Sequence, residues 1–203
     1  MVENNIQRLT EKINTIEDKE LIELIKNLIE ERNYLSEIAN IDTLTGLNNR
    51  RVLSRIRNYS GILLLDVDNF KTINDTYGHS TGDYVLKKIA EILKNNTRAS
   101  DYVCRYGGDE FVCVFEDCPE EIMKKRAEEI RTLIEQETEL SHHNVTASIG
   151  IAFQNEESIE DLIKKADEGL YDAKRSGKNQ VSEYQQQAKN PTSEYFEEVK
   201  NER

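Results

Sequence analysis

The sequence predicts an α/β domain of the α+β kind, with a mixed, mainly antiparallel central sheet flanked by helices and a helical segment in front of it. Between residues 42 and 184, apolar runs of strand length alternate with amphipathic runs of helix length. Two strand-like runs flank the turn at Gly107-Gly108, which makes one pair of strands antiparallel. The 203 residues suffice for one domain with short additions.

The predicted strands and helices follow one another in an order that mixes both types, which places helices on both faces of the sheet. Strand-like runs are bounded by turn residues, whereas helix-like runs repeat apolar residues every three or four positions. Pro119 begins one helix, where its missing N–H costs little, and Ser158 caps another. The sequence predicts strands at 61–68, 102–106, 111–115, 145–153 and 180–184, and helices at 70–77, 80–97, 119–136 and 158–176.

Residues 1–41 are predicted to form a helical segment outside this domain. Apolar residues recur at helical spacing from Ile6 to Ile16 and from Leu21 to Ile38, and the break between them indicates a turn or a stutter. This stripe fits either a helix packed on its own domain or a coiled coil that joins two copies of the chain. Its length favours the coiled coil, hence a homodimer. The mixed-sheet domain then spans 42–184, and a polar tail follows at 185–203.

Composition argues against several classes of protein. The net charge of −12 disfavours binding to nucleic acid or to an anionic membrane surface. No apolar run approaches the roughly 20 residues of a membrane span, and the first residues lack the pattern of a signal peptide. The three cysteines show no CxxC spacing, which favours reduced thiols over a secreted scaffold or a zinc site. We therefore expect a cytoplasmic protein with no nucleic acid and no membrane as partner.

Acidic residues gather at two points that the predicted fold brings together. Asp66 and Asp68 lie at the end of a buried strand, where alternation places both side chains on one face. If the hairpin pairs beside this strand, its tip brings Asp109 and Glu110 close to Asp66. Converging carboxylates repel one another, and a divalent cation relieves this cost. Oxygen ligands without His or Cys suit Mg²⁺ or Mn²⁺.

Each acidic motif taken alone has a plainer interpretation. The pair Asp66 and Asp68 fits a strand end that caps the following helix, and the Gly-Gly-Asp-Glu stretch from Gly107 fits an ordinary tight turn. Both motifs in one chain, in the order that a shared site requires, make these interpretations much weaker.

The motif Arg105-Tyr-Gly-Gly-Asp-Glu-Phe111 resembles the signature of the GGDEF domains, the diguanylate cyclases. Further stretches resemble the family in the expected order, so that the similarity covers about 42–184. The resemblance implies a fold like the palm of polymerases and adenylyl cyclases, with 42–184 as the catalytic domain. The additional matching stretches are 42–51, 66–83, 148–152 and 166–179.

The resemblance also implies a reaction. Family members join two GTP molecules into cyclic di-GMP and release two pyrophosphates, with the two domains of a dimer facing each other. The resemblance implies two Mg²⁺ or Mn²⁺ ions per active site, held by Asp66, the Val67 carbonyl, Asp109 and Glu110. Asp109 and Glu110 are the implied catalytic residues, and Asp109 matches the position that assists the attacking hydroxyl.

The remaining residues implied by the resemblance contact nucleotide. Asn74 and Asp83 match guanine-binding positions, and their amide and carboxylate suit the edge of that base. Lys178 stands where the family commonly has Arg, so it keeps the charge but loses the two-pronged geometry. The implied phosphate contacts are Phe70, Lys71, Lys174 and Lys178.

Arg98 and Asp101 match the RxxD pattern at which the product inhibits family members, away from the catalytic face. Two other functions remain open. One is a catalytically weak receptor for GTP or cyclic di-GMP, which would be expected to lack an acid of the signature, and none is lacking. The other is a related synthase of cyclic GMP-AMP, against which Asp83 argues because it favours guanine.

Overall fold

The computed structural model describes residues 19–185, which form a six-stranded sheet with helices on both faces. The strands are β1 Asn48–Asn49, β2 Gly61–Val67, β3 Tyr102–Arg105, β4 Glu110–Phe115, β5 Ala147–Phe153 and β6 Val181–Glu183. The α-helices are α1 Lys19–Ile38, α2 Phe70–Tyr77, α3 His79–Asn95, α4 Glu120–Gln136, α5 Thr138–Ser141 and α6 Ile159–Arg175, and a 3₁₀ helix spans Arg50–Arg55.

The strands lie in the order β1-β3-β4-β2-β5-β6. Strand β2 occupies the interior and pairs antiparallel with both β4 and β5, and β3 pairs antiparallel with β4. The outer pairs β1–β3 and β5–β6 are parallel. The predicted mixed and mainly antiparallel sheet is therefore confirmed.

Alternation along β2 builds a hydrophobic core on each face of the sheet. Leu63 and Leu65 pack with apolar residues of α3 and α4, whereas Ile62 and Leu64 pack with those of α6 and the 3₁₀ helix. All seven residues of β2 are buried, since helices cover both faces. The polar end of this buried strand is therefore held rigidly.

Several elements differ from the sequence-based prediction. Strand β1 and helix α5 have two and four residues, too short to leave a periodic signal. All three cysteines, Cys104, Cys113 and Cys118, are buried and form no disulfide. The apolar positions from Ile6 to Ile16 and the tail after residue 185 lie outside the described residues.

Helix α1 leaves its apolar stripe uncovered by the domain. Leu24, Leu28 and Leu35 are each more than half exposed, at 56%, 55% and 57%. Where the structure describes side chains of this helix, none is buried. The helix joins the domain through polar contacts near its C-terminal end, such as that of the Arg55 guanidinium with Ser36 Oγ at 2.8 Å. Within residues 19–185, no helix combines the length and apolarity of a membrane span.

Candidate functional site

The acidic end of β2 lies directly beside the glycine-rich turn. Asp66 is paired in register with Glu110, the first residue of β4. The Val67 amide also donates to the Asp109 carbonyl at 3.3 Å. The sheet therefore brings Asp66, Val67, Asp109 and Glu110 together, as the hairpin argument predicts.

Asp66 is a buried carboxylate in a crowded acidic environment. Its side chain is 12% exposed and contacts the Lys174 ammonium at 2.8 Å. Burial raises the pKa of Asp66 to about 6, because loss of solvation and the nearby charges of Asp109 and Glu110 together outweigh the opposing effect of Lys174. This carboxylate would gain from additional positive charge.

The Glu110 side chain folds over the turn at Gly107, where the absence of a Cβ leaves room for its carboxylate. A Cβ at Gly107 would lie 2.7 Å from Glu110 Oε2. The amides of Tyr106 and Gly107 both donate to the Glu110 carbonyl, at 2.8 and 3.3 Å. The Arg105 guanidinium closes the turn from outside by donating to the Gly108 carbonyl at 2.7 Å. The backbone of the turn is thus fixed while the acidic side chains remain partly exposed.

The donor chemistry at this end of β2 fits a hard divalent ion. The carboxylates of Asp66 and Glu110 stand on adjacent strands, and all nearby donors are oxygens. In residues 19–185, no three acidic, His or Cys side chains are already grouped as metal ligands. Lys174 instead supplies the cation next to Asp66, so metal binding would require the acidic side chains to rearrange around it.

Asp68 has surroundings quite unlike those of Asp66. It is 2% exposed and accepts hydrogen bonds from Ser148 Oγ at 2.6 Å and from Thr146 Oγ1 at 2.7 Å. Both hydroxyls belong to the β5 side of the site, so Asp68 joins the end of β2 to its neighbour. It lies on the face of Asp66, as alternation predicts, but its carboxylate is already engaged.

The basic residues named for phosphate lie around the start of α2. Phe70 begins this helix, and the preceding Asn69 provides no side-chain cap for it. The Lys178 ammonium reaches across from the loop after α6 to Asn69 Oδ1 at 2.7 Å. Amides at a helix N-terminus attract anions. Lys71 lies in the first turn of α2, and the Lys174 ammonium contacts Asp66 at 2.8 Å. The structure thus groups positive charge next to the acidic cluster.

The two residues named for guanine lie on either side of the bend between α2 and α3. The Asn74 side chain packs so closely on Gly82 that a Cβ there would overlap with Asn74 Oδ1. Asp83 follows Gly82 directly and is exposed. Gly82 belongs to the 66–83 stretch that resembles the family, but the sequence did not show that it makes room for the Asn74 side chain.

Arg98 and Asp101 stand at the opposite end of the sheet from Asp66. The Asp101 side chain is 1% exposed and contacts the Arg126 guanidinium at 3.2 Å. It also accepts from the Arg98 amide at 2.8 Å and from the Glu116 amide at 3.4 Å. Arg126 lies on α4 and was missed, because no local pattern connects it with a loop 25 residues earlier. Arg98 itself is exposed.

Residues 39–180 match the family described as "Diguanylate cyclase, GGDEF domain". The chain is 42% identical over 179 residues to the diguanylate cyclase DosC of Escherichia coli, covering 80% of this chain and 38% of DosC. It is 38% identical over 194 residues to the response regulator PleD of Caulobacter vibrioides, covering 86% of this chain and 42% of PleD. The chain therefore spans about two fifths of the length of these relatives.

A solved structure shows the same architecture. The coiled coil and GGDEF domain of DgcB from Caulobacter crescentus, in complex with c-di-GMP, aligns with a TM-score of 0.68 at 26% identity. The alignment covers 90% of this chain and 98% of the DgcB chain. The similarity therefore includes part of the segment that precedes the domain as well as the sheet and its helices.

Proposed function

The chain belongs to the GGDEF domain family, and from that premise we propose that it condenses two GTP molecules into cyclic di-GMP. Each 3′-hydroxyl forms a bond to the α-phosphorus of the other nucleotide, and each broken P–O bond releases one pyrophosphate. The observation that carries this proposal is the pairing of Asp66 with Glu110, beside the basic residues around the start of α2. One end of the sheet thus offers both acid and positive charge to a triphosphate.

Members of this family generally depend on a divalent metal, and the donors described above suit one. We assign Asp66, the Val67 carbonyl, Asp109 and Glu110 as the groups that would hold two Mg²⁺ or Mn²⁺ ions. When bound, such ions neutralise charge on the leaving pyrophosphate and lower the pKa of the attacking hydroxyl. We assign Asp109, which is partly exposed at the turn, to accept the proton of that hydroxyl.

The basic residues hold the triphosphate in this proposal. We assign the first amides of α2, at Phe70 and Lys71, to the phosphates, because a helix N-terminus favours negative charge. The ammonium groups of Lys71, Lys174 and Lys178 provide three further positive charges around the same point. Positioning of this kind accounts for much of the catalysis of phosphoryl and nucleotidyl transfer.

Guanine is bound between α2 and α3. Asp83 accepts hydrogen bonds from the N1–H and the 2-amino group of guanine, which adenine does not offer in that arrangement. Asn74 contributes an amide that both donates and accepts. The exposed carboxylate of Asp83 therefore favours GTP over ATP.

The reaction needs two facing domains, and we propose that α1 supplies the dimer. Its uncovered stripe of Leu24, Leu28 and Leu35 suits a coiled coil with a second copy of the chain. We assign dimerisation to 1–41, catalysis to 42–184 and a polar tail to 185–203. Changing Leu24 and Leu28 together to Glu is expected to shift the sedimentation coefficient to that of a monomer. An unchanged dimer would contradict this assignment.

We also propose that the product inhibits the enzyme at Arg98 and Asp101, with Arg126 as a third contributor. Asp101 already binds the Arg126 guanidinium and the Arg98 backbone, so its role is to hold these two basic residues. Their guanidinium groups then donate hydrogen bonds to a phosphate or to the edge of a guanine.

We also propose a cytoplasmic location, with which the three free thiols of this chain agree.

The direct test is to incubate the purified protein with GTP and Mg²⁺ and to identify the product by chromatography and mass. We expect cyclic di-GMP with two pyrophosphates for each product molecule, and no product after chelation of the metal. If no pyrophosphate is released with either Mg²⁺ or Mn²⁺, the proposed enzymatic activity is wrong, and a receptor for GTP or cyclic di-GMP becomes the better proposal. A mixed dinucleotide made preferentially from ATP and GTP would overturn the assignment of Asp83.

A further inference from the structure

We propose that Asp68 is a positioning residue for triphosphate binding, acting by holding the loop Gly177–Asn179 so that Lys178 lies over the start of α2. The inference rests on the proposed function, since it presumes that a triphosphate binds there. Asp68 would then position other residues, whereas Asp66 is proposed to contact the metal directly.

The carboxylate of Asp68 is saturated by donors from two separate elements. Besides the hydroxyls of Ser148 and Thr146, it accepts the backbone amide of Asn179 at 3.0 Å. The Asp68 amide donates in turn to the Thr146 carbonyl at 2.9 Å. A buried carboxylate with three donors is a rigid anchor, because each donor would be costly to leave unpaired. The loop after α6 is thereby tied to the end of β2.

The loop needs such an anchor because its backbone is unfavourable. Gly177, Lys178 and Asn179 have φ values of 114°, 64° and 46°, all in the left-handed region. Side chains other than glycine adopt this region at a cost, so consecutive residues hold it only where surrounding contacts impose it. The bond from Asn179 to Asp68 is one such contact.

The Asn179 side chain is held independently from α4. Its Oδ1 accepts from the Arg131 guanidinium at 2.9 Å, and its Nδ2 donates to Glu135 Oε1 at 2.7 Å. Asn179 is therefore fixed by backbone and by side chain at once. Removing the Asp68 carboxylate would break the hydrogen bond to the Asn179 amide, whereas the side-chain contacts of Asn179 with α4 would keep the loop close to its original position. We therefore expect the substitution to change mainly the position of Lys178.

The consequence of this anchoring appears one residue earlier in the chain. Lys178 is exposed, yet its ammonium is directed to Asn69 Oδ1 at 2.7 Å, immediately before the first turn of α2. A flexible lysine at the surface would otherwise sample many rotamers, and ordering it costs entropy on binding. Because the anchored loop already restricts Lys178, less conformational entropy is lost when a triphosphate binds.

The test compares Asp68→Ala with Asp68→Asn in the full chain. Asparagine keeps a carbonyl oxygen for the Asn179 amide and can donate to the Ser148 hydroxyl, whereas alanine keeps neither. The probe is a non-hydrolysable GTP analogue with an α,β-methylene bridge, measured by calorimetry with Mg²⁺. We expect Asp68→Ala to weaken its binding about tenfold and Asp68→Asn to stay within about twofold. Binding of GMP, which lacks the terminal phosphates, should be unchanged in both.

A double substitution shows whether Asp68 acts through Lys178. Adding Asp68→Ala to Lys178→Ala should weaken binding no further than Lys178→Ala alone, since the ammonium that Asp68 positions is then gone. Additive losses would overturn the proposal. A tenfold or greater loss of binding in Asp68→Asn would also overturn the proposal, because it would indicate a ligand role like that of Asp66. This second outcome can be read even if Asp68→Ala does not fold. Failure of the unmodified protein to bind the analogue would overturn the proposed function itself, a result distinct from either.

Discussion

Asp66 and Asp68 stand two positions apart at the end of one strand, and the structure gives them opposite surroundings. Asp66 has one lysine contact and two acidic neighbours, and its pKa is raised to about 6. Asp68 accepts from two hydroxyls and a backbone amide and is buried at 2% exposure. Additional positive charge would therefore stabilise the ionised carboxylate of Asp66. The carboxylate of Asp68 is already engaged in hydrogen bonds that hold neighbouring elements together. In the proposed function, this difference separates a residue that contacts the ligand from one that positions the residues that do.

A similar contrast holds between the two ends of the sheet. At the end with Glu110, the side chains of Asp109 and Glu110 are partly exposed, and burial together with their charges raises the pKa of Asp66. At the other end, Asp101 is enclosed by Arg126 and two backbone amides. Asp101 thus resembles Asp68 rather than Asp66, and in the proposed function the product contacts of that end fall to its arginines.

The largest expected effect comes from Asp66→Asn, which removes the proposed metal-binding charge. We expect turnover of GTP to fall about a thousandfold, or about 4 kcal/mol of transition-state stabilisation, with the fold intact. Pyrophosphate release measures it. The matched control is Asp117→Asn, an exposed acid beyond the far end of β4, which should leave the rate unchanged. Equal losses in both variants would remove the distinction drawn for Asp66.

Gly82→Ala tests whether the space left by Gly82 is needed to position the Asn74 side chain. The added Cβ would overlap with Asn74 Oδ1 and displace it. We expect KM for GTP to rise about tenfold with a smaller change in kcat, because guanine binding is affected more than chemistry. Ser80→Ala, exposed in the first turn of the same helix, is the control. A fall in kcat at constant KM would contradict this role.

Arg98→Ala tests the opposite end of the sheet. The exposed guanidinium is removed while the buried Asp101 keeps its bonds to backbone amides, so the domain should stay folded. We expect the initial rate to be preserved and the concentration of cyclic di-GMP that halves it to rise at least about tenfold. An unchanged inhibition curve would show that this end does not bind product.

The smallest effect is the contribution of Asp66 to the pH dependence of stability, which the difference between Asp66→Asn and the original protein isolates. Because its pKa is raised from 3.8 to about 6 on folding, the folded protein binds this proton more tightly than the unfolded chain, and stability falls as pH rises between these values. Asp66→Asn should therefore gain about 1 kcal/mol relative to the original protein between pH 5 and 7.5. Urea unfolding with EDTA measures it. A difference that does not change with pH would contradict the raised pKa.

Much of the fold could be predicted from local patterns, because β2 is a continuous apolar run and the turn at Gly107 and Gly108 is a strong hairpin signal. The convergence of Asp66 with Glu110 followed from pairing those two elements. The roles of Asp68 and Asp101 could not be predicted. Their donors come from Ser148, Asn179 and Arg126, distant in sequence, and only the three-dimensional arrangement brings them together.

The central claim is that the acids at the end of β2 form a metal and nucleotide site, and an anomalous-difference map tests it most directly. Crystals would be grown with MnCl₂ and the non-hydrolysable GTP analogue. The account predicts a manganese peak within bonding distance of carboxylate oxygens of Asp66 and Glu110, with the Lys174 ammonium moved from Asp66 toward phosphate. A map in which Asp66 keeps its contact with Lys174 and the ion and nucleotide lie elsewhere would contradict it.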